Sequence, residues 1–493
     1  MNKKLLFKAV GIASVCVCGF TMNVNAESVP TRQLMGNVQN EPSAVMPSKT
    51  IDVKIGNQPQ INQIGDKQIK KEEIVSTPVA KTDLKSVILN WQEIPNAVMY
   101  ELIVKDAATG EKVFSKYNIY AAGYQLDDGE VDLQKNLIWQ VRGLNIDKVP
   151  VTDYSKPQPV RQGIDFSADW QAVDNNKYDN SGFSKTDNNV YLVDKNVSVS
   201  PLKLTTHFDE MAYMPVYPVY SWVPVKNTDH YDIDVFYVKD DNHNDVEKVA
   251  SYKSPQNMDF YDDKAYVNKG LYFYNIRAYD KDNKKIAESV NSYFSVQTDN
   301  IKVAALGDSI THGGGAVSTP PSATLYNWET YAGVPVVNIG FSGNLTSDML
   351  KRFDRDVLAF KPKLLVIMGG VNDIRTGIKA DTVISNLNAI KGKCQKNGII
   401  PVFLTVTPVN PPKMKSVAKL DISSGWENER EKVNKWVKSQ DYYVDVAEEM
   451  TDERGFLADN LTTDGLHPDY EGKKHIGEAV GDYLRLNFEY MLY

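Results

Sequence analysis

The last third of the chain alternates unbroken apolar runs with segments in which apolar residues recur at helical spacing. Unbroken apolar runs are typical of parallel strands, because helices cover both faces of such a sheet. The five runs lie at residues 303–306, 334–339, 364–368, 400–406 and 442–446, and the helical patterns begin near residues 346, 381, 424 and 470. We therefore predict an α/β/α sandwich with a five-stranded parallel sheet over residues 299–493.

The middle of the chain shows a different pattern, in which apolar and polar residues alternate between clusters of turn residues. This alternation predicts two antiparallel β-sandwich modules, over residues 83–164 and 201–298. Each module has a tryptophan followed nine residues later by a tyrosine: Trp91 and Tyr100, then Trp222 and Tyr231. Both modules resemble fibronectin type III-like modules, in which the tryptophan packs between the sheets. Residues 165–200, rich in Asn, Asp, Ser and Lys, are predicted to be a connection.

The N-terminal segment has the features of an export signal. Three lysines within the first eight residues precede an uncharged apolar run, and Ala26 ends a small-residue cleavage motif. The run is shorter than the ~20 residues that span a bilayer, so we predict a signal peptide over residues 1–26, cleaved near Ala26. Cys16 and Cys18 lack the preceding small residue of a lipoprotein signal, so no lipid anchor is expected. Residues 27–82 are polar without a sustained period and predict a flexible spacer.

Composition excludes several other classes of function. The net charge of -8 and the pI near 5.5 do not favour nucleic acid or anionic lipid as partners. Only six histidines occur in the chain, without a His-x-x-x-His pair, so we expect neither a metal centre nor a cofactor. Cys394 is the single cysteine after the signal peptide and is expected to be a buried, inert thiol. No later apolar run is long enough for stable membrane insertion, and the oligomeric state is left open.

Four short motifs occupy the ends of the predicted strands and the start of the last predicted helix. They are Gly307-Asp308-Ser309, the segment NIGFSGN at 338–344, Gly370-Val371-Asn372-Asp373, and Asp464-Gly465-Leu466-His467-Pro468. Their order and placement resemble the four sequence blocks of the SGNH hydrolase superfamily, also called GDSL esterases, over residues 302–493. The resemblance implies a hydrolase domain with a serine nucleophile, and it does not extend to the β-modules.

The motif residues supply a set of groups suited to acyl transfer. Ser309 is the candidate nucleophile, and a serine hydroxyl needs an adjacent base to become reactive. His467 can accept and return a proton near neutral pH, and Asp464, three residues earlier, can orient the imidazole ring. We expect the backbone N–H groups of Ser309 and Gly343 and the side-chain amide of Asn372 to form the oxyanion hole.

Three further polar residues in these motifs and loops are assigned structural roles. His312 lies three residues after Ser309, and so short a loop seldom turns the ring back onto the hydroxyl. We therefore expect His312 to form a pocket wall or to anchor a loop. Asp308 and Asp373 are expected to bind backbone groups and fix their loops.

These observations favour a secreted serine esterase acting on carboxylic esters. Export, a spacer and β-modules favour an acyl group linked to a polymer, and acetylated polysaccharide is the expected substrate. Two alternatives stay open: a lipase or lysophospholipase-type acylhydrolase, and a non-catalytic glycan- or surface-binding protein with a degenerate hydrolase domain. An α/β-hydrolase is disfavoured because the motif Gly-x-Ser-x-Gly is absent. If the β-modules only deliver the catalyst, a fragment that begins near Thr298 should fold alone.

Overall fold

The computed structural model describes residues 84–161, 164, 190–315, 317 and 319–492. The predicted signal peptide and spacer lie outside the described residues, as does most of the predicted connection. Within the described part, two β-rich modules precede an α/β domain. No helix among the described residues is long and apolar enough to cross a membrane.

The first module consists of two antiparallel sheets. Its strands are β1 (Leu84–Asn90), β2 (Met99–Asp106), β3 (Lys112–Ile119), β4 (Gly123–Asp127), β5 (Leu137–Leu144), β6 (Gln158–Pro159) and β7 (Val190–Asp194). One sheet has the order β4-β1-β7 and the other the order β3-β2-β5-β6. Trp91 lies in the core that both sheets share, with its ring centroid 5.3 Å from that of Tyr100 and 6.1 Å from that of Trp139.

Strand β7 lies in the segment that the sequence assigned to a connection, so that boundary is corrected. It pairs antiparallel with β1, and Tyr191 is the register neighbour of Ile88. Val193 is buried and shares a small apolar cluster with Ile88. The polar composition of residues 165–200 hid this strand, because what makes it a strand is the open edge of β1, more than a hundred residues earlier.

The second module is built around one large antiparallel sheet. Its strands are β8 (Ser200–Pro201), β9 (Val219–Ser221), β10 (His230–Val238), β11 (Val246–Ser254), β12 (Asp259–Tyr261), β13 (Gly270–Tyr279), β14 (Lys285–Glu288) and β15 (Ser292–Val296). The large sheet has the order β11-β10-β13-β14-β8, with β15 also paired to β13, while β9 pairs with β12. Within the large sheet only the short pairing of β14 with β8 is parallel. Trp222 is fully buried against the ring of Tyr231, at 4.8 Å between centroids. The fibronectin type III identity of both modules stays a prediction.

The last domain contains the predicted five-stranded parallel sheet. Its strands are β16 (Val303–Gly307), β17 (Val336–Gly340), β18 (Leu364–Met368), β19 (Ile400–Leu404) and β20 (Tyr443–Val444), in the order β17-β16-β18-β19-β20. Every pairing in this sheet is parallel, and the order is that of flavodoxin-like folds. The prediction of five strands is confirmed.

Seven α-helices accompany this sheet in the part that the structure describes. They are α1 (Ser309–His312), α2 (Thr346–Asp356), α3 (Val371–Arg375), α4 (Ala380–Lys396), α5 (Pro411–Lys413), α6 (Trp426–Lys438) and α7 (Tyr470–Leu492). Helices α2, α4 and α6 pack side by side, whereas α7 packs against the short 3₁₀ turns that precede β17. The long helices begin where the sequence predicted them, but α1 and α3 are too short to produce a helical pattern.

The second module and the α/β domain share one continuous cluster of buried apolar side chains, which reaches from β10 and β13 into the five-stranded sheet. Polar contacts cross the same boundary. The N–H of Val216 donates to the carbonyl oxygen of Asn338 at 2.9 Å, and the hydroxyl of Tyr217 donates to Asp356 Oδ2 at 2.6 Å. The expectation that a fragment starting near Thr298 folds alone is revised, because it would lose part of its own core.

Candidate active site

Ser309 stands where the chain leaves β16, the second strand in the order of the parallel sheet. Strand β16 lies between β17 and β18, and open α/β sheets bind ligands at such a switch point, outside the carboxyl ends of the strands. Asp308 caps α1, since its Oδ1 accepts from the N–H of Ile310 at 3.0 Å. A Cβ atom at Gly307 would lie 2.7 Å from the carbonyl oxygen of Met368, so only glycine fits there. The Gly-Asp-Ser sequence thus ends the strand, starts the helix and places Ser309 at its first residue.

The structure brings Ser309, His467 and Asp464 together in one chain of hydrogen bonds. Ser309 Oγ lies 2.9 Å from His467 Nε2, and His467 Nδ1 lies 2.7 Å from Asp464 Oδ2. The other carboxylate oxygen of Asp464 accepts from the N–H groups of Leu466 and His467, both at 2.8 Å. The aspartate and the histidine are therefore fixed to each other by side chain and backbone within one short turn.

The electrostatics of Asp464 keep it ionised. Burial alone raises its pKa, but the neighbouring His467 ring and the backbone N–H groups of the turn outweigh burial and hold the pKa below its ordinary value. An ionised Asp464 accepts from Nδ1–H, which leaves Nε2 as the acceptor that faces Ser309. This is the tautomer that can take a proton from the serine hydroxyl.

The expected oxyanion donors lie at the ends of the neighbouring strands. Gly343 follows β17 and has φ of 82°, a conformation that favours glycine. Within the described residues, the N–H groups of Ser309 and Gly343 make no hydrogen bond. Asn372 is the second residue of α3, and its Nδ2 donates to the carbonyl oxygen of Asn344 at 3.1 Å. The Asn372 amide is thereby placed against the loop that carries Gly343.

Two loop-fixing aspartates behave as the sequence predicted. Besides the cap made by Asp308, the carboxylate of Asp373 accepts from Thr346 twice, at 3.0 Å from its N–H and at 2.6 Å from its hydroxyl. Burial raises the pKa of Asp308 to about 6, and burial also raises the pKa of Asp373. Both side chains tie a motif to the start of a helix, and these predictions are confirmed.

Sequence reasoning missed a buried arginine on α2. Arg352 Nε donates to Asn344 Oδ1 at 2.6 Å. Its two terminal nitrogens donate to the carbonyl oxygens of Ile339 and Gly307, at 2.7 and 2.9 Å. One guanidinium therefore ties the ends of β16 and β17 to the loop that carries Gly343. The available signal was its position three residues after Met349, on the apolar face of the helix.

Sequence reasoning also missed a buried lysine that contacts the helix carrying the nucleophile. Lys473 on α7 is fully buried, and its Nζ donates to the carbonyl oxygen of Ile310 at 2.6 Å. Burial lowers the pKa of Lys473 to about 8. The contact joins α7, which follows His467, to α1, which carries Ser309, so it holds the two halves of the catalytic pair together.

His312 occupies the loop-anchoring position that the sequence suggested. Its ring lies between the carbonyl oxygen of Tyr217, 2.7 Å from Nε2, and the hydroxyl of Ser342, 2.9 Å from Nδ1. It does not face Ser309 Oγ, which is bound by His467. The sequence could not indicate that one of its two anchors comes from the second β-module.

The family comparison covers the α/β domain. Residues 305–475 match the GDSL-like Lipase/Acylhydrolase family. A curated relative from Bacillus subtilis (strain 168), named uncharacterized lipoprotein YqeF, is 35% identical over 80 residues. That alignment spans 15% of this chain and 33% of the relative, so about a third of the relative's length is matched.

Solved structures similar to the chain cover 37–38% of it. A putative lipolytic protein of the G-D-S-L family from Desulfitobacterium hafniense DCB-2 has 26% identity over 37% of this chain and 99% of its own, with a TM-score of 0.31. A lipase/acylhydrolase from Enterococcus faecalis has 24% identity over 38% of this chain and 95% of its own, with a TM-score of 0.32. A Geobacillus acetyl-xylooligosaccharide esterase has 19% identity over 38% and 95%, with a TM-score of 0.29.

A parallel sheet of flavodoxin-like order, with a serine, a histidine and an aspartate hydrogen-bonded in sequence at its switch point, defines a hydrolase domain of the esterase and lipase type. The family match agrees with this class. The C-terminal domain of the chain is a GDSL-like lipase/acylhydrolase domain.

Proposed function

We propose that this protein is a serine esterase that hydrolyses carboxylic esters through Ser309, His467 and Asp464. The observation that carries the proposal is the hydrogen-bond chain from Ser309 Oγ through the imidazole of His467 to the carboxylate of Asp464. Such a chain supplies a nucleophile, a base and an orienting group in the required order. Its position at the carboxyl end of β16 leaves the hydroxyl where a ligand can approach.

In the first half of the reaction the ester is cleaved and the enzyme acylated. Ser309 Oγ attacks the ester carbonyl carbon while His467 Nε2 takes the hydroxyl proton. The resulting tetrahedral oxyanion is bound by the N–H groups of Ser309 and Gly343 and by the Asn372 amide. When this intermediate collapses, the imidazolium returns its proton to the departing alkoxide, and the alcohol leaves.

In the second half, water replaces the alcohol. His467 takes a proton from the water molecule, the hydroxide attacks the acyl carbon, and the same donors stabilise a second oxyanion. Collapse returns the proton to Ser309 Oγ and releases the carboxylic acid. Asp464 stays ionised throughout and stabilises the imidazolium that forms in each half.

For the substrate we propose a short acyl ester on a polymer, with acetylated polysaccharide as the class. The support comes from the segments that precede the hydrolase domain: a predicted export signal, a predicted spacer and two β-modules. This support comes from domain context rather than from the geometry of the site. A long-chain lipase would instead need an extended apolar groove beside the nucleophile to bury the acyl chain.

We also propose that the protein is exported and cleaved near Ala26. The proposal rests on the basic and apolar pattern of residues 1–26. Mass spectrometry of the protein recovered from the culture medium tests it. A mature N-terminus at Glu27 supports the proposal, and an intact Met1 or a lipid-modified cysteine contradicts it.

Kinetics of site variants test the mechanism. On nitrophenyl acetate, Ser309→Ala and His467→Ala should lose nearly all activity, and Asp464→Asn should lose up to roughly 10⁴-fold in kcat. Asn372→Ala should lose roughly 10²–10³-fold in kcat with little change in KM, because its amide binds charge that arises only in the transition state. Full activity in Ser309→Ala would reject the mechanism, and a pure KM effect would make Asn372 a binding residue.

A substrate series tests the choice of ester. The wild-type protein should hydrolyse nitrophenyl acetate faster than esters of longer acyl chains, and it should release acetate from acetylated xylan or another acetylated glycan. A preference for long chains would favour the lipase alternative. No hydrolysis of any ester would favour the non-catalytic alternative.

A further inference from the structure

One buried imidazole connects the nucleophile helix, the loop before Gly343 and the second β-module. His312 is only 3% exposed. Its Nε2 lies 2.7 Å from the carbonyl oxygen of Tyr217, and its Nδ1 lies 2.9 Å from Ser342 Oγ. The N–H of Ser342 also donates to Nδ1, at 3.3 Å. Ser342 directly precedes Gly343, so the ring acts next to an expected oxyanion donor.

These neighbours fix the tautomer of His312. The carbonyl oxygen of Tyr217 can only accept, so Nε2 carries the proton. Nδ1 is then an acceptor. It accepts from the N–H of Ser342, and the Ser342 hydroxyl acts as a donor to it. Burial lowers the pKa of His312 to about 4, so the ring is neutral at neutral pH.

The carbonyl of Tyr217 is itself held firmly against the α/β domain. The preceding residue, Val216, donates its N–H to the carbonyl oxygen of Asn338 in β17. The Tyr217 hydroxyl donates to Asp356, and its ring lies edge-on to Phe341 with centroids 4.7 Å apart. Tyr217 is only 1% exposed, so this segment of the second β-module is buried in the hydrolase domain.

The loop is therefore fixed on both sides of Gly343. His312 holds Ser342 before it, and Arg352 holds Asn344 after it. Oxyanion donors act through preorganised positions, and a misplacement of ~1 Å can cost roughly 10²-fold in rate. A loop with a glycine at its centre would otherwise be free to move its N–H away from the reacting oxygen.

We propose that His312 is a positioning residue of the esterase site and that the second β-module, through the carbonyl of Tyr217, is a working part of that site. The inference rests on the proposed function, because it takes the N–H of Gly343 as an oxyanion donor. His312 does not touch the substrate; it acts through Ser342. The second module thus contributes to turnover and does not only carry the catalyst.

Two substitutions of His312 separate the effects of its hydrogen bonds to Ser342 and to Tyr217. His312→Asn keeps an acceptor near the position of Nδ1 for Ser342 and loses the bond to Tyr217. His312→Gln can reach the Tyr217 carbonyl with its amide and loses the acceptor at Nδ1. On nitrophenyl acetate we expect His312→Gln to lower kcat by roughly 10- to 100-fold with KM within about twofold of the wild type. His312→Asn should also lower kcat, by up to about tenfold, because it keeps an acceptor for Ser342 but loses the anchor on the Tyr217 carbonyl. A wild-type kcat in His312→Asn would contradict the role of the second module.

A second histidine offers a matched control. His230 in β10 is also buried, with 6% exposure, and its Nδ1 lies 2.9 Å from Asp229 Oδ2. His230→Gln makes the same change of side chain in the second module, away from the loop, and should keep the wild-type kcat and KM. Thermal unfolding of all three variants shows whether a lost activity reflects lost folding.

The outcomes distinguish this inference from the proposed function. If the wild type and His312→Gln hydrolyse the ester equally fast, the inference is overturned and the esterase proposal stands. If the wild type hydrolyses no ester, the esterase proposal fails first. If His312→Gln does not fold, ¹⁵N spectra of histidine-labelled wild type decide. A neutral His312 ring with the proton on Nε2 at neutral pH supports the inference, and a charged ring or a proton on Nδ1 contradicts it.

Discussion

The two β-modules precede the same hydrolase domain and share a sequence pattern, yet they differ in how they meet it. The core of the first module, around Trp91 and Trp139, contains only residues of that module. The module also touches the hydrolase domain, for example where the Tyr326 hydroxyl lies 3.5 Å from the carbonyl oxygen of Ile94. The core of the second module, around Trp222, continues without a break into the parallel sheet. A module with its own core can act as an attachment, whereas one that shares a core belongs to the folding unit of its neighbour. The same strand pattern therefore forms one module that has a core of its own and one module that shares the core of the hydrolase domain.

The contacts that join the two modules to each other are smaller. A cluster of Ile88, Val193 and Val223 forms the apolar part. The polar contacts include Lys226, which pairs with Asp127 at 3.2 Å and with Glu130. The lysine side chain keeps 30% of its exposure, so water screens these ion pairs. The apolar cluster at this interface is smaller than the one that joins the second module to the hydrolase domain.

Deleting the first module alone or both modules should give the largest difference in soluble yield and in kcat. A fragment of residues 199–493, which lacks the first module, should fold and hydrolyse nitrophenyl acetate with the kcat of the whole protein. A fragment of residues 299–493 should be insoluble or nearly inactive, because it exposes the apolar surface that the second module covers and loses the anchor of His312. Soluble yield and kcat of both fragments measure the difference. A soluble 299–493 fragment with full kcat would show that the shared core is dispensable.

Substituting one tryptophan in each module sharpens the comparison. Trp222 is 0% exposed and Trp91 is 8% exposed, so each change to alanine should cost its own core about 3–5 kcal/mol. In Trp222→Ala this loss falls on the hydrolase domain, and the temperature at which esterase activity disappears should drop. In Trp91→Ala that temperature should stay at the wild-type value. Equal shifts in the two variants would mean that both modules unfold with the hydrolase domain.

Loss of a single polar contact should cost less unfolding free energy than loss of a tryptophan. The cost should again be larger at the boundary between the second module and the hydrolase domain than at the boundary between the two modules. Tyr217→Phe leaves the buried Asp356 without the donor that lies at 2.6 Å and should cost about 1–3 kcal/mol of unfolding free energy. Lys226→Ala removes two screened ion pairs and should cost less than about 1 kcal/mol. Denaturant unfolding followed by esterase activity measures both. A larger loss in Lys226→Ala would reverse the ranking of the interfaces.

Much of the α/β domain could be predicted because its signals are local. The five strands are apolar runs, interrupted within β17 by Asn338, and each site motif lies directly after a strand or before a helix. Ser309 and His467 are 158 residues apart, but the carboxyl ends of parallel strands meet at one edge of the sheet. Placing Ser309 at the end of a strand and His467 just before the helix that follows the last strand was therefore enough to bring them together.

What the sequence could not predict depends on contacts between distant backbone groups. Strand β7 forms because β1 has an open edge, and nothing in residues 190–194 requires that pairing. The bond from His312 to Tyr217 spans 95 residues and ends on a carbonyl oxygen, which every residue has. Arg352 and Lys473 carry charges that usually lie on the surface, so their burial follows from the packed site and not from the residue type.

Labelling with a fluorophosphonate, a reagent that reacts with activated serines, tests the central claim most directly. The whole protein and the 199–493 fragment are treated with the reagent, and the adduct is located by peptide mass spectrometry. The account predicts a single adduct, on Ser309, in both, and none in Ser309→Ala. An unlabelled wild-type protein, or an adduct that persists in Ser309→Ala, would contradict the assignment of Ser309 as an activated nucleophile.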